Sequence, residues 1–142
     1  MTSTSGISGI DHMNLLTTPE RLATIGRFYA DVLGLRIGHR PGSGVEGTWL
    51  YIGDHPALHL SAKVPEAHAS AAASAAAPGF DHVAFRAAGV AEFRRRLSEH
   101  GVPYRELKRP QGYQILLTDP DGTRLELNFS ASEADGPPPA HF

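Results

Sequence analysis

One short pattern occurs twice in this chain, and the repeat constrains the fold more than any other feature of the sequence. The pattern is an apolar residue, Asp, His, an apolar residue, a small or polar residue and a second apolar residue. It occurs as IDHMNL from residue 10 and as FDHVAF from residue 80. Each copy leads into a helical pattern and then into strand-like runs, and each ends on a strand in which His59 or Glu126 lies between two leucines. The sequence therefore predicts one module that occurs twice.

Hydrophobic periodicity predicts the element order βαβββ for each copy. In the first copy, apolar residues at three- and four-residue spacings from Leu22 to Leu33 indicate an amphipathic helix that ends at Gly34. Alternating runs predict its strands at residues 10–16, 35–39, 48–52 and 57–62. In the second copy, the same signals predict a helix at residues 90–100 and strands at 80–86, 102–107, 113–118 and 123–129.

Three or four strands with one covering helix leave one face of a sheet unburied, and pairing the two copies would bury it. We therefore expect an α+β protein in which two tandem βαβββ modules form a cupped mixed β-sheet around a metal cleft. The arginine triplet at residues 94–96 is expected on a solvated helix face. The predicted divisions are a flexible leader at 1–9, the first module at 10–62, an Ala-rich linker at 63–79, the second module at 80–130 and a disordered tail at 131–142.

Composition narrows the class of partner. The formal net charge is -2 and the pI is near 6.4, so the chain has no electrostatic surplus for nucleic acid or an anionic membrane. No apolar run approaches the roughly 20 residues of a membrane span, and the N-terminus lacks the pattern of a signal peptide. These features predict a cytoplasmic protein that acts on a small molecule. Because the chain has no Cys, a metal site would use nitrogen and oxygen ligands.

Four side chains at matching places in the repeat are candidate metal ligands: His12, His59, His82 and Glu126. The first two are 47 residues apart and the last two 44. A single His on a strand is more often a core or rim residue, but two at matching positions favour a shared site. Imidazoles with one carboxylate suit Mn²⁺, Zn²⁺, Ni²⁺, Co²⁺ or Fe²⁺, and Fe²⁺ is our first choice because two His and one carboxylate typify non-haem iron oxygenases.

These motifs resemble the vicinal oxygen chelate superfamily, which includes glyoxalase I, methylmalonyl-CoA epimerase, fosfomycin and bleomycin resistance proteins and extradiol ring-cleavage dioxygenases. The resemblance covers roughly residues 9–130. The motifs that show the resemblance are DH at 11–12, FYADVLGL at 28–35, FDHVAF at 80–85 and TDPDGTRLEL at 118–127. The resemblance implies metal ligands at His12, His82 and Glu126, and a homodimer.

The residue at position 59 distinguishes members of this superfamily. Glyoxalases usually have Glu or Gln there, whereas this chain has His59. In the extradiol dioxygenases, a histidine on the corresponding strand is an acid–base catalyst beside the iron, and a tyrosine on a late strand assists it. Tyr113 is the candidate for that tyrosine, and packing is the alternative for both Tyr113 and Trp49. For His59, a role as a fourth ligand and a role in proton transfer both stay open.

Three functions are therefore expected, in order. The first is a divalent-metal enzyme that cleaves a catechol-like ring in the manner of an extradiol dioxygenase. The second is a lyase or isomerase of the glyoxalase or epimerase type, in which Glu126 or His59 moves a proton. The third is a non-catalytic drug-binding resistance protein, and the presence of His12 and His82 with Glu126 argues against it.

Overall fold

A computed structural model describes residues 6, 10–42, 44–63, 81–110 and 112–135. Most of the predicted leader and linker, and the tail after residue 135, lie outside the described residues. In the described part, no helix is long and apolar enough to cross a bilayer. The first module contains β1 (Met13–Thr17), α1 (Leu22–Arg27) continued by a π-helical segment (Phe28–Val32), β2 (Arg36–Gly38), β3 (Gly47–Ile52) and β4 (His55–Ala62). The second contains β5 (His82–Arg86), α2 (Val90–Glu99), β6 (Arg105–Arg109), β7 (Gly112–Thr118), β8 (Arg124–Phe129) and a 3₁₀ turn (Ala131–Asp135).

Each module forms one four-stranded mixed sheet. The strand orders are β1-β4-β3-β2 and β5-β8-β7-β6, so the first and last strands of each module are neighbours. These neighbours pair in parallel, and the other pairs are antiparallel. The prediction of an α+β fold built from two tandem βαβββ modules is confirmed.

Strand register shows that the repeat extends to single residues. In the first sheet Asn14 pairs with His59, and in the second Ala84 pairs with Glu126. Asn14 and Ala84 each lie two residues after the histidine of the repeated motif. His59 and Glu126 therefore occupy equivalent places beside that histidine, as the matched spacing predicted.

Alternation along the strands divides each sheet into a buried face and an open face. In β4, Leu58 and Leu60 are buried while His59 between them is half-buried, and in β8 Leu125 and Leu127 flank Glu126 in the same way. The buried side chains of both modules belong to one hydrophobic core, and α2 contacts the π-helical segment of the first module. The candidate ligands lie on the open faces, outside this core.

A tight turn of the second module clasps the first. The Oδ1 atom of Asp119 accepts hydrogen bonds of 2.9 Å from the backbone N–H groups of Asp121 and Thr123, which closes the turn. Its Oδ2 atom accepts a hydrogen bond of 2.7 Å from the hydroxyl of Tyr29, and both side chains are buried. Asp121 pairs with the guanidinium of Arg21. We call these contacts the inter-module clasp.

Two local predictions differ from the structure. The arginine triplet is not uniformly solvated, because Arg94 pairs with Glu106 at 2.6 Å and Arg96 stacks over Phe93, so only Arg95 is largely exposed. The tail does not become irregular at Ala131. Instead Ala131–Asp135 forms a 3₁₀ turn, and the carboxylate of Glu133 accepts hydrogen bonds from the first N–H groups of α2, at residues 89 and 90. That contact satisfies helix donors that otherwise lack a partner.

Candidate metal centre

The open face of the second sheet brings His82 and Glu126 together. The Nε2 atom of His82 lies 3.5 Å from Oε2 of Glu126, and the Nδ1 atom contacts Oδ2 of Asp81 at 2.8 Å. The other carboxylate oxygen of Glu126 accepts a hydrogen bond of 2.7 Å from the amide of Gln114. We call His82 and Glu126 the second ligand pair; they line a cavity of about 540 Å³ together with Tyr104, Arg105, Thr118 and Arg124, among others.

The open face of the first sheet stacks three planar rings. His12 and His59 lie with ring centroids 4.0 Å apart and planes 15° apart, and Trp49 covers the other side of His59 at 4.1 Å and 8°. The Nδ1 atom of His12 contacts Oδ2 of Asp11 at 2.7 Å. The Nε2 atom of His59 lies 3.1 Å from the carbonyl oxygen of Pro56. We call His12 and His59 the first histidine pair.

Hydrogen bonds in these pairs define which ring nitrogens are free. A carbonyl or ionised carboxylate only accepts, so a neutral imidazole beside it donates N–H there and keeps its lone pair on the other nitrogen. The free nitrogen is therefore Nε2 in His12 and His82, and Nδ1 in His59. Burial and the charge of the nearby His12 hold the pKa of the His59 imidazole below its ordinary value.

The structure does not bring the two pairs together within one chain. Within residues 10–42, 44–63, 81–110 and 112–135, no group of three or more His, Asp or Glu side chains lies close enough to hold one metal ion. The single cleft that we expected to hold His12, His59, His82 and Glu126 is therefore absent from the described part of one chain. Each open face carries only its own pair.

Tyr113 lies away from both pairs. It is buried and pairs with Phe129 in the sheet register, so its side chain is on the face opposite Glu126. Its hydroxyl donates a hydrogen bond to Glu106 and accepts one of 3.0 Å from Arg94. This network ties β7 to α2 and gives Tyr113 a packing position; the structure does not place it among the candidate ligands.

The residues present fit a divalent metal by the chemistry of their donor atoms. Three candidate donor atoms form no hydrogen bond with the backbone in the described part of the chain. They are Nε2 of His12, Nε2 of His82 and Oε2 of Glu126. Neutral imidazole and carboxylate are ligands for first-row divalent metals. The donor that remains to be added to the second ligand pair is a second imidazole.

Two tandem βαβββ sheets, with a histidine at or directly before the start of each first strand and a carboxylate on the last strand of the second module, are the features of the vicinal oxygen chelate class. The model of the Glyoxalase/Bleomycin resistance protein/Dioxygenase superfamily matches residues 9–127, and the chain belongs to this superfamily. No curated protein matches the chain in sequence.

Solved structures show the same fold. FosX, a fosfomycin resistance protein from Listeria monocytogenes, superposes with a TM-score of 0.63 at 21% identity and covers 90% of this chain and 98% of its own. TnmS3, an antibiotic binding protein from a Streptomyces species, gives 0.65 at 22% identity over 89% and 98% of the two chains. Lactoylglutathione lyase from Agrobacterium tumefaciens gives 0.61 at 22% identity over 90% and 98%. A FosX variant was solved with Mn(II) and 1S,2S-dihydroxypropylphosphonic acid.

Three residues of the site were missed in the sequence: Asp11, Asp81 and Gln114. An aspartate directly precedes the histidine in both copies of the repeat, and this repeated Asp-His pair could have predicted their contact. Gln114 lies on the face of Glu126 because it is two residues from Leu116, the register partner of Glu126. Only the hairpin register reveals this, so sequence alone gave no direct signal for Gln114.

Proposed function

We propose that two copies of this chain together form a divalent-metal site, in which His12 of one copy joins His82 and Glu126 of the other. The observation that carries this proposal is the separation of the donors. Each chain presents the first histidine pair on one open face and the second ligand pair on the other, and within the described residues neither face has enough ligands to hold a metal alone. A twofold dimer would contain two such sites, each with donors from both chains.

We propose further that the site acts on a small substrate with neighbouring oxygen atoms, as a lyase or isomerase of the glyoxalase or epimerase type. When bound, the metal would act as a Lewis acid that polarises a substrate oxygen. His59 would move the proton. Its stacking on His12 supports this role. A metal lies near the plane of the imidazole that binds it, about 2 Å from the nitrogen, and the His12 and His59 rings lie face to face with centroids 4.0 Å apart and planes 15° apart, so they do not direct their nitrogens at one ion.

The free Nδ1 of His59 is the nitrogen that would accept the proton, since Nε2 faces the carbonyl of Pro56. Ring cleavage by an extradiol dioxygenase, our first expectation, has less support because Tyr113 lies on the opposite face of its sheet. A drug-binding protein without catalysis is disfavoured because the chain has two histidines, His12 and His82, and the carboxylate of Glu126 at the matched positions of the repeat. Metal binding without turnover of any substrate would favour it.

Subunit complementation tests the shared site. His12→Ala and His82→Ala are each expected to remove the metal, because each dimer site then lacks one donor. A heterodimer that joins one His12→Ala chain to one His82→Ala chain should regain about half of the wild-type metal, because one of its two sites receives every ligand. Differently tagged chains, co-expressed and purified through both tags, give this heterodimer for metal analysis.

His100→Ala is the matched control, since this exposed histidine lies at the end of α2 and its loss should leave the metal content unchanged. If the heterodimer regains no metal while the wild-type protein binds it, the site lies within one chain and the shared-site proposal is wrong. If the wild-type protein binds no divalent metal at all, the chain has no such site.

A further inference from the structure

We infer that Asp11, Asp81 and Gln114 are positioning residues that orient the three metal-binding side chains. The inference rests on the metal site proposed above. Each of these residues contacts its ligand side chain at an atom other than the one that would bind the metal, namely Nδ1 of the two histidines and Oε1 of Glu126. All three therefore act on the geometry and basicity of a ligand without touching the ion.

The two aspartates define the tautomers of the histidine ligands. Oδ2 of Asp11 lies 2.7 Å from Nδ1 of His12, and Oδ2 of Asp81 lies 2.8 Å from Nδ1 of His82. An ionised carboxylate only accepts hydrogen bonds, so His12 carries its proton on Nδ1. His82 does the same, because its Nδ1 lies at hydrogen-bond distance from Asp81, 2.8 Å, whereas its Nε2 is 3.5 Å from Glu126. Both then present an Nε2 lone pair. The same arrangement in both copies of the repeat assigns it a role beyond a chance surface contact.

Gln114 does the same for the carboxylate ligand. Its amide nitrogen donates one hydrogen bond of 2.7 Å to Oε1 of Glu126 and another of 2.9 Å to Oδ1 of Asn128. With both N–H groups engaged, the amide holds Oε1 in place. The other oxygen, Oε2, is the one that lies beside Nε2 of His82. Glu126 thus has one carboxylate oxygen, Oε2, left to bind the metal.

Asp11 and Asp81 differ in the further contacts that hold each of them in place. Asp81 accepts a further hydrogen bond of 3.0 Å from Arg124 through Oδ1, whereas the carbonyl oxygen of Asp11 contacts His55. The side chain of Asp11 is 83% exposed and that of Asp81 65%. Loss of Arg124 should therefore loosen His82 and leave His12 unchanged.

The first measurement reads the tautomers directly in the metal-free protein. Long-range ¹H–¹⁵N correlation spectra at about pH 8, where an ordinary imidazole is neutral, should show Nδ1-protonated rings at His12 and His82. Asp11→Ala should release the Nδ1–H preference of His12 alone, and Asp81→Ala that of His82 alone. Asp→Asn at either position keeps an accepting oxygen and should restore the preference. Asp31→Ala, on an exposed helical position, is the matched control.

The second measurement is Zn²⁺ affinity by chelator competition. Each positioning variant, Asp11→Ala, Asp81→Ala or Gln114→Ala, should weaken binding by about 10- to 100-fold, the usual cost of removing a residue that orients a ligand. Gln114→Ala should leave both tautomers as they are. Arg124→Gln should weaken binding less than Asp81→Ala.

The outcomes separate this inference from the proposed site. Failure of the wild-type protein to bind Zn²⁺ would refute the metal site, while the spectra would still decide whether the aspartates control the tautomers. Binding that depends on His12 and His82 but is unchanged in all three positioning variants, with unchanged tautomers, would refute the inference alone. Spectra showing Nε2-protonated rings in the wild-type protein would also refute it.

Discussion

Removing the Tyr29 hydroxyl should destabilise the protein through the inter-module clasp. Tyr29 is fully buried, and burial together with the charge of Asp119 raises the pKa of its hydroxyl, which therefore stays a donor. In Tyr29→Phe, Oδ2 of Asp119 loses the 2.7 Å bond from that hydroxyl, and the two backbone donors of the turn bind only Oδ1. The carboxylate would then have one buried oxygen without the tyrosine donor.

Hydrogen bonds to charged groups contribute about 1.5 to 3 kcal/mol, so the free energy of unfolding should fall by about that amount. The assay is equilibrium urea unfolding at one fixed protein concentration, because association would otherwise shift the midpoint. We expect a lower midpoint with an unchanged slope. Because the clasp joins the modules, a double-mutant cycle with Asp119→Ala should give a coupling energy of about 1 kcal/mol or more.

Tyr51→Phe is the matched control for this prediction. Its hydroxyl donates a hydrogen bond of 2.6 Å to the carbonyl of His39 in an exposed place, where water can replace it. The control should change stability by about 0.5 kcal/mol or less. If Tyr29→Phe costs no more than Tyr51→Phe, the buried carboxylate does not depend on the tyrosine and the reasoning is wrong.

Two further predictions concern proton transfer and pH. His59→Gln should retain the metal yet lower turnover by about 10²- to 10⁴-fold, measured on the substrate found in a screen of thiohemiacetals, vicinal diols and catechols. Equal loss of metal and turnover would make His59 a ligand. Ser61→Ala, on the same face of the strand, is the control. Glu106→Gln should flatten the acid limb of stability: burial raises the pKa of Glu106, but the hydrogen bonds of Arg94 and Tyr113 outweigh it and leave the pKa lowered. That stabilisation is fully present above about pH 4.5, the ordinary pKa of a Glu carboxyl, and is lost as pH falls through the lowered pKa of Glu106. The urea midpoints of the wild-type protein and the variant should therefore converge as the pH is lowered. A constant difference between the two midpoints at all pH values would contradict this prediction.

The repeat made the fold and the open-face positions of the candidate ligands predictable because both depend on local patterns. Alternation placed His59 and Glu126 on open faces, and helical spacing placed Phe93 and Leu97 in the core. The orienting bonds were not predictable to the same degree. The contact of Gln114 with Glu126 depends on strand register, which alternation constrains only to one face.

The prediction that Tyr113 belongs to the site came from the resemblance, and the strand register places its side chain on the other face of the sheet. The resemblance placed a tyrosine on a late strand, but a shift of one residue along a strand moves a side chain to the other face. Tyr113 pairs with Phe129, and Glu126 pairs with Leu116. The separations from Tyr113 to Leu116 and from Glu126 to Phe129 are odd numbers of residues, so the tyrosine and the ligand lie on opposite faces.

The division of the ligands between two open faces could not be predicted, because a tandem repeat defines which residues are equivalent and not which copies face each other. The choice depends on contacts between modules, such as Tyr29 with Asp119 and Arg21 with Asp121, which join residues about 100 positions apart. These contacts leave His12 apart from the second ligand pair. A site shared between chains couples metal binding to association: an ion that binds only the assembled dimer stabilises it, and dissociation of the dimer releases the ion. In the site that we propose, the clasp orients the modules within a chain, so that a second copy is needed to bring His12 to the second ligand pair.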